Sequence, residues 1–146
     1  MSDIQVTTRM IEANGLTFET DVCGSGEKLA LLLHGFPESK HSWRFQVPLL
    51  AELGYTVWAP NLRGYGHSSR PPKVADYNIT NLIADVAGLI DAARAEGITG
   101  PTTLMTHDWG GAIGWSVVLT EARPLERFVV MNLPHPSLFL KGLRTW

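Results

Sequence analysis

Apolar and polar positions along the chain alternate with two different periods, and the switches between them divide it into elements. Period-two alternation over residues 6–11 and 16–22, with Asn14-Gly15 between, predicts an antiparallel hairpin. A turn follows at Cys23-Gly24-Ser25-Gly26. Short apolar runs over residues 29–33, 56–59, 102–106 and 128–131 read as further strands. Between them, Ile79, Leu82, Ile83, Val86, Ala87 and Ile90 recur at helical spacing, with Asn78 or Thr80 as the N-cap and Gly97 as the stop. Residues 42–53 are helical in character, with Pro48 restarting the helix and Gly54 closing it. A third helix is predicted over residues 110–122, ended by Arg123-Pro124. Strands alternating with helices predict an α/β fold built on a mostly parallel sheet. No internal repeat or low-complexity linker interrupts it.

Composition narrows the classes. The 146 residues, 45% of them hydrophobic and 18% charged, suit a globular domain or part of one. A net charge of -2 with scattered Lys and Arg argues against nucleic acid as a partner. No apolar run approaches the roughly 20 residues that span a bilayer, so no membrane partner is expected. Cys23 has no second cysteine to pair with, and residues 1–10 lack the apolar core of a signal peptide; a cytoplasmic location is the expectation.

The chemistry concentrates in three segments. His107-Asp108-Trp109-Gly110-Gly111 follows directly on a predicted strand. A nucleophile on a strained strand-to-helix turn needs small residues two places before it and two and three places after it, and Thr106, Gly110 and Gly111 meet that need around Asp108. Asp108 is equally a good N-cap, which is the plainer reading of the segment alone. The second segment, His34-Gly35-Phe36-Pro37-Glu38-Ser39, follows the buried run over residues 29–33. The third, Arg63-Gly64-Tyr65-Gly66-His67-Ser68-Ser69, follows the strand before it. Each could be an ordinary Gly- and Pro-containing loop. His34, His41, His67, His107 and His135 lack a paired zinc spacing, and Gly110, Gly111 and Gly114 do not form G-x-G-x-x-G; no metal or cofactor is implied. His34 and His107 are better explained as organisers of backbone in their loops.

Taken in order, HGFPE, RGYGHS and HDWGG, with Asn132-Leu133-Pro134-His135-Pro136 after the last strand, resemble the epoxide hydrolase branch of the α/β-hydrolase family over nearly the whole chain. The resemblance implies an α/β-hydrolase sheet with flanking helices, incomplete for lack of its late strands and lid. Residues 1–136 would form the N-terminal part of the core domain and 137–146 the start of the lid. It implies Asp108 as a carboxylate nucleophile that opens an epoxide through an alkyl ester, and the backbone N–H groups of Phe36 and Trp109 as an oxyanion hole. Phe36, Pro37, Trp109 and His135 would contact a small-molecule epoxide. The family's distal acid, base and lid tyrosines lie on late segments with no counterpart after Asp108 in this chain, and Tyr55, Tyr65 and Tyr77 read as packing or loop residues. Self-association, or pairing with a missing C-terminal half, is expected from the open sheet edge this would leave.

Two other readings share the pattern. Haloalkane and fluoroacetate dehalogenases also use an aspartate nucleophile. Many of the former carry a side-chain donor where this chain has Phe36, and the latter typically carry an Arg where it has Trp109. An inactive fragment or binding scaffold would keep the cleft without turnover.

Overall fold

The computed structural model describes residues 4–144. Met1–Asp3 and the last two residues of the expected lid segment, Thr145 and Trp146, lie outside them. The hairpin forms as predicted: β1 (Thr7–Ala13) pairs antiparallel with β2 (Leu16–Cys23) in the register Thr7↔Val22 to Ala13↔Leu16. The two-residue turn places Asn14 at φ 50° and Gly15 at φ 70°. That turn requires positive φ twice, which Asn tolerates and Gly adopts freely.

The parallel strands are β3 (Lys28–Leu33), β4 (Tyr55–Pro60), β5 (Thr102–His107) and β6 (Arg127–Met131). The six strands run in the order β1-β2-β4-β3-β5-β6, with β2 antiparallel to β4. Three helices cross between them: α1 (Gln46–Glu52), α2 (Ile79–Ala95) and α3 (Trp109–Leu119). A fourth, α4 (Pro136–Leu143), follows β6.

Side chains of β3 alternate between two cores, as strand geometry dictates. Leu29, Leu31 and Leu33 pack with Trp58, Leu89, Ile90 and Val117 on the α2/α3 face. Ala30 and Leu32 pack with Val47, Val57, Ala59 and Trp43 on the α1 face. Burial on both faces is why β3 reads as an unbroken apolar run.

Two helices end differently from their sequence patterns. Residues 42–53 split into a 3₁₀ turn, Lys40–Trp43, and α1, so that Pro48 falls in the first turn of α1, where its missing N–H leaves no bond unmade. The third helix stops at Leu119, short of the expected Ala122. Glu121 adopts φ 51°, and the N–H groups of Glu121 and Ala122 turn back to the carbonyls of Val118 and Val117 at 3.1 Å each. This is the left-handed C-terminal cap usually built with glycine, so no glycine marked the end.

The chain passes from β3 to β4 on one side of β3, then from β4 to β5 on the other. The order of a parallel sheet thus reverses at β3, and ligands of such sheets bind at the carboxyl ends of the strands at that point. The loop after β3 and the turn after β5 meet there.

Candidate active site

Asp108 sits between β5 and α3 at φ 52° and ψ -121°, a backbone conformation L-residues rarely adopt. Its side chain makes no capping bond to α3. Instead Oδ1 accepts a 2.9 Å hydrogen bond from the backbone N–H of Phe36. The N–H groups of Phe36 and then Trp109 hold this carboxyl below the usual aspartate range, outweighing partial burial, because they favour the charged form.

The small residues have steric reasons. A Cβ on Gly110 would lie 2.4 Å from the carbonyl oxygen of Leu33, so only glycine lets the start of α3 rest on the end of β3. A Cβ on Gly114 would meet the Phe128 ring at 2.6 Å and Thr106 Cγ2 at 2.8 Å. Gly35 carries the same constraint toward the site itself: its Cβ would stand 2.5 Å from Asp108 Cβ and 2.7 Å from Oδ1. Sequence reasoning read Gly35 only as part of a loop motif.

The loop after β3 is organised from below. His34 is fully buried, and its Nε2 accepts from the N–H of Leu62 at 3.0 Å, which leaves the proton on Nδ1 to donate to the Gly35 carbonyl at 2.9 Å. Burial pushes its pKa down, so the ring stays neutral. Glu38 Oε2 accepts from the Gly35 N–H at 3.3 Å and from His107 Nδ1 at 3.1 Å, joining the loop to the residue before Asp108. Burial works to raise the Glu38 pKa, but these two bonds win and lower it. His34 thus organises backbone, as read from the sequence, whereas the hydrogen bond of His107 goes to the Glu38 side chain.

The loop after β4 is stitched down more widely. Arg63 donates through Nε and Nη2 to Asp85 at 2.8 and 2.7 Å, in a pair with both side chains 5% exposed, and Asp85 also accepts from Asn14 Nδ2 at 2.8 Å. Glu19 accepts from the His67 N–H at 3.0 Å, from His67 Nδ1 at 3.2 Å and from Asn61 Nδ2 at 2.7 Å. These bonds lower its pKa to about 2, against partial burial. Tyr65 lies edge-on to His34, with ring centroids 4.7 Å apart.

Beside Asp108 these loops enclose a cleft of about 460 Å³, within the usual range for small-molecule sites. Phe36 and Trp109 form its exposed rim, and Ile113 and Leu62 its buried floor, with Tyr65 and Leu82 between. Two expected contact residues lie outside this lining. Pro37, joined to Phe36 by a cis peptide bond, is exposed. His135 stacks edge-on to Trp115 at 4.8 Å, and its Nδ1 accepts the Ser137 N–H as the cap of α4. A larger groove of about 740 Å³ between the hairpin and α2 contains the Asp91–Arg123 pair and lies away from Asp108. Among the described residues no group of three or more His, Cys, Asp or Glu could hold a metal ion, and no helix is long and apolar enough to cross a membrane.

A mostly parallel sheet with an aspartate at its strand-to-helix turn, facing the loop from the neighbouring strand, has the layout of the α/β hydrolase fold. The chain belongs to the α/β hydrolase fold family, whose model matches residues 29–143. Within it, the chain is similar to Epoxide hydrolase A of Mycobacterium tuberculosis, 39% identical over 129 residues, a match covering 88% of this chain and 39% of that protein. It is 38% identical over 130 residues to Epoxide hydrolase 4 of Mus musculus, covering 88% of this chain and 35% of the relative. A crystal structure of an epoxide hydrolase from Vigna radiata superposes with a TM-score of 0.80 at 36% identity, covering 88% of this chain and 39% of that one. Epoxide Hydrolase A from Mycobacterium thermoresistibile superposes with a TM-score of 0.78 at 34% identity, over 95% and 45% of the two chains. The chain spans less than half the length of these relatives.

Proposed function

We propose that Asp108 is the nucleophile of an epoxide-opening reaction. The observation that carries this reading is the position of its carboxylate: presented by a strained turn, ionised, unused as a helix cap, and held through Oδ1 by the Phe36 N–H. The carboxylate attacks a ring carbon, the carbon–oxygen bond of the epoxide breaks, the freed oxygen takes a proton from water, and a hydroxyalkyl ester forms on Asp108. The N–H groups that favour the carboxylate are then aimed at the ester carbonyl. Water adding to that carbonyl creates an oxyanion that they stabilise, and collapse releases a vicinal diol. Each such donor is worth about 3 to 4 kcal/mol at comparable sites.

The described residues support the first half of this sequence better than the second. Hydrolysis needs a base to activate water, and no histidine among them hydrogen-bonds Asp108. His34 is buried and committed at both nitrogens, His107 is paired with Glu38, and His135 caps α4. The step these residues support is ester formation on Asp108. Epoxide is favoured over haloalkane because Phe36 offers no side-chain donor to a leaving halide.

Incubation with an aryl epoxide followed by intact-mass measurement and peptide mapping tests the proposal. The expected result is a stable adduct of one epoxide mass on Asp108, absent from Asp108→Asn. Absence of any Asp108 adduct favours an inert scaffold, and alkylation by a haloalkane in preference to the epoxide favours the dehalogenase.

A further inference from the structure

Asn14 and Gly15 turn the hairpin at an exposed site, far along the chain from Asp108, and the pair is chemically fragile. The backbone nitrogen after an asparagine can attack the side-chain amide carbon, and a following residue without a Cβ leaves that path open. Gly15 meets the requirement. Its N–H has no hydrogen-bond partner among the described residues, and apart from its chain neighbours no atom lies within 4 Å of where a Cβ would stand. Asn61, Asn78, Asn81 and Asn132 each precede Leu or Ile, whose side chains shield the same nitrogen.

What Asn14 holds makes its loss consequential. Its amide donates through Nδ2 to Asp85 Oδ1 at 2.8 Å, and the same carboxylate accepts from Arg63 Nη2 at 2.7 Å and Nε at 2.8 Å. Asp85 lies on α2 and is 4% exposed. Gly88, one turn further along α2, lets the hairpin rest there, since its Cβ would stand 3.0 Å from Asn14 N. Asn14 thus fastens the hairpin to the buried ion pair that holds the loop after β4. An aspartate in its place offers no donor and sets a second carboxylate against Asp85.

We propose that Asn14 is a deamidation site, restrained while its amide is bound to Asp85, and that its conversion unfastens the hairpin from the Arg63–Asp85 pair. The Gly15 nitrogen bonds to the Asn14 side-chain carbon, the bond from that carbon to Nδ2 breaks, and ammonia leaves with the proton of the Gly15 N–H. Water then opens the imide at either carbonyl, giving aspartate or isoaspartate. Isoaspartate also adds a methylene to the backbone of a two-residue turn, whose length sets the hairpin register. None of these steps involves Asp108.

The test ages the parent protein in mildly alkaline buffer and follows every asparagine by peptide mapping, with isoaspartate separated from aspartate by chromatography. Acid is expected at residue 14 ahead of Asn61, Asn78, Asn81 and Asn132. Unfolding in urea is expected to speed conversion at residue 14 about 10- to 100-fold, the range of one hydrogen bond to a charged group. The converted fraction, isolated by ion exchange through its added negative charge, should unfold at lower urea than the parent and exchange amide hydrogens faster in the hairpin and in the loop after β4. Asn14→Asp should do the same without ageing. Earlier conversion of another asparagine, equal rates at residue 14 in folded and unfolded chains, or a converted fraction as stable and as protected as the parent overturns the proposal. These readouts come from the parent itself, so they hold even if Asn14→Asp folds poorly.

Discussion

The backbone N–H of Phe36 donates to Asp108 Oδ1 across 2.9 Å, although the two residues stand 72 positions apart in the chain. The bond joins the loop after β3 to the turn after β5, and it selects the ionised carboxylate. Because the folded-state pKa lies below the ordinary one, the charged form and the stability it brings persist above the ordinary pKa and are lost only as pH falls through the lower folded value. Asp108 alkylation should thus keep more than half of its neutral-pH rate at about pH 4, where a free aspartate is half protonated. A rate already halved at that pH contradicts the assignment.

Gly35→Ala should separate chemistry from stability. The added Cβ collides with Asp108 Cβ and Oδ1 and moves the carboxylate away from the Phe36 N–H. Alkylation should slow about 100-fold, as misplacement near 1 Å does elsewhere. The circular dichroism spectrum should stay that of the parent.

Removing one partner of the Arg63–Asp85 pair leaves a buried charge uncompensated. Asp85→Ala should cost about 3 to 5 kcal/mol in urea unfolding. The double change Arg63→Met with Asp85→Leu should recover part of that loss, since neither charge is then buried alone.

Glu19 predicts acid sensitivity in the loop that carries Tyr65. Its pKa falls from 4.5 to about 2, so its contribution is present above 4.5 and is lost as pH drops from there to about 2. Stability of the parent should fall across that window more steeply than that of Glu19→Gln. Parallel acid-unfolding curves for the two would show that Glu19 does not act in this way.

The open side of β6 predicts association. Among the described residues β6 pairs only with β5, Val129 on it is 36% exposed, and α4 beyond it exposes Leu138, Phe139, Leu140 and Leu143. Sedimentation should show concentration-dependent oligomers, reduced in Val129→Lys, because a charge on an edge strand opposes pairing.

Local rules made much of this protein legible. Asn14-Gly15 admits one tight hairpin, period-two and helical spacings separate strands from helices, and the run over residues 29–33 announces a strand covered on both faces. Small residues spaced around Asp108 mark a strained turn, because backbone can approach backbone only where side chains are absent. The end of α3 was hidden because a glutamate occupies the left-handed cap. What the sequence could not settle is which distant groups meet. Whether Asp108 caps α3 or turns toward Phe36, that Gly35 is the space in which its carboxylate rests, that His135 stands away from the cleft, and that Tyr65, Leu82 and Ile113 wall it are results of β4 and β5 flanking β3. Sequence order carries that neighbourhood only after the sheet has formed, since contacts between residues tens of positions apart depend on strand order and register.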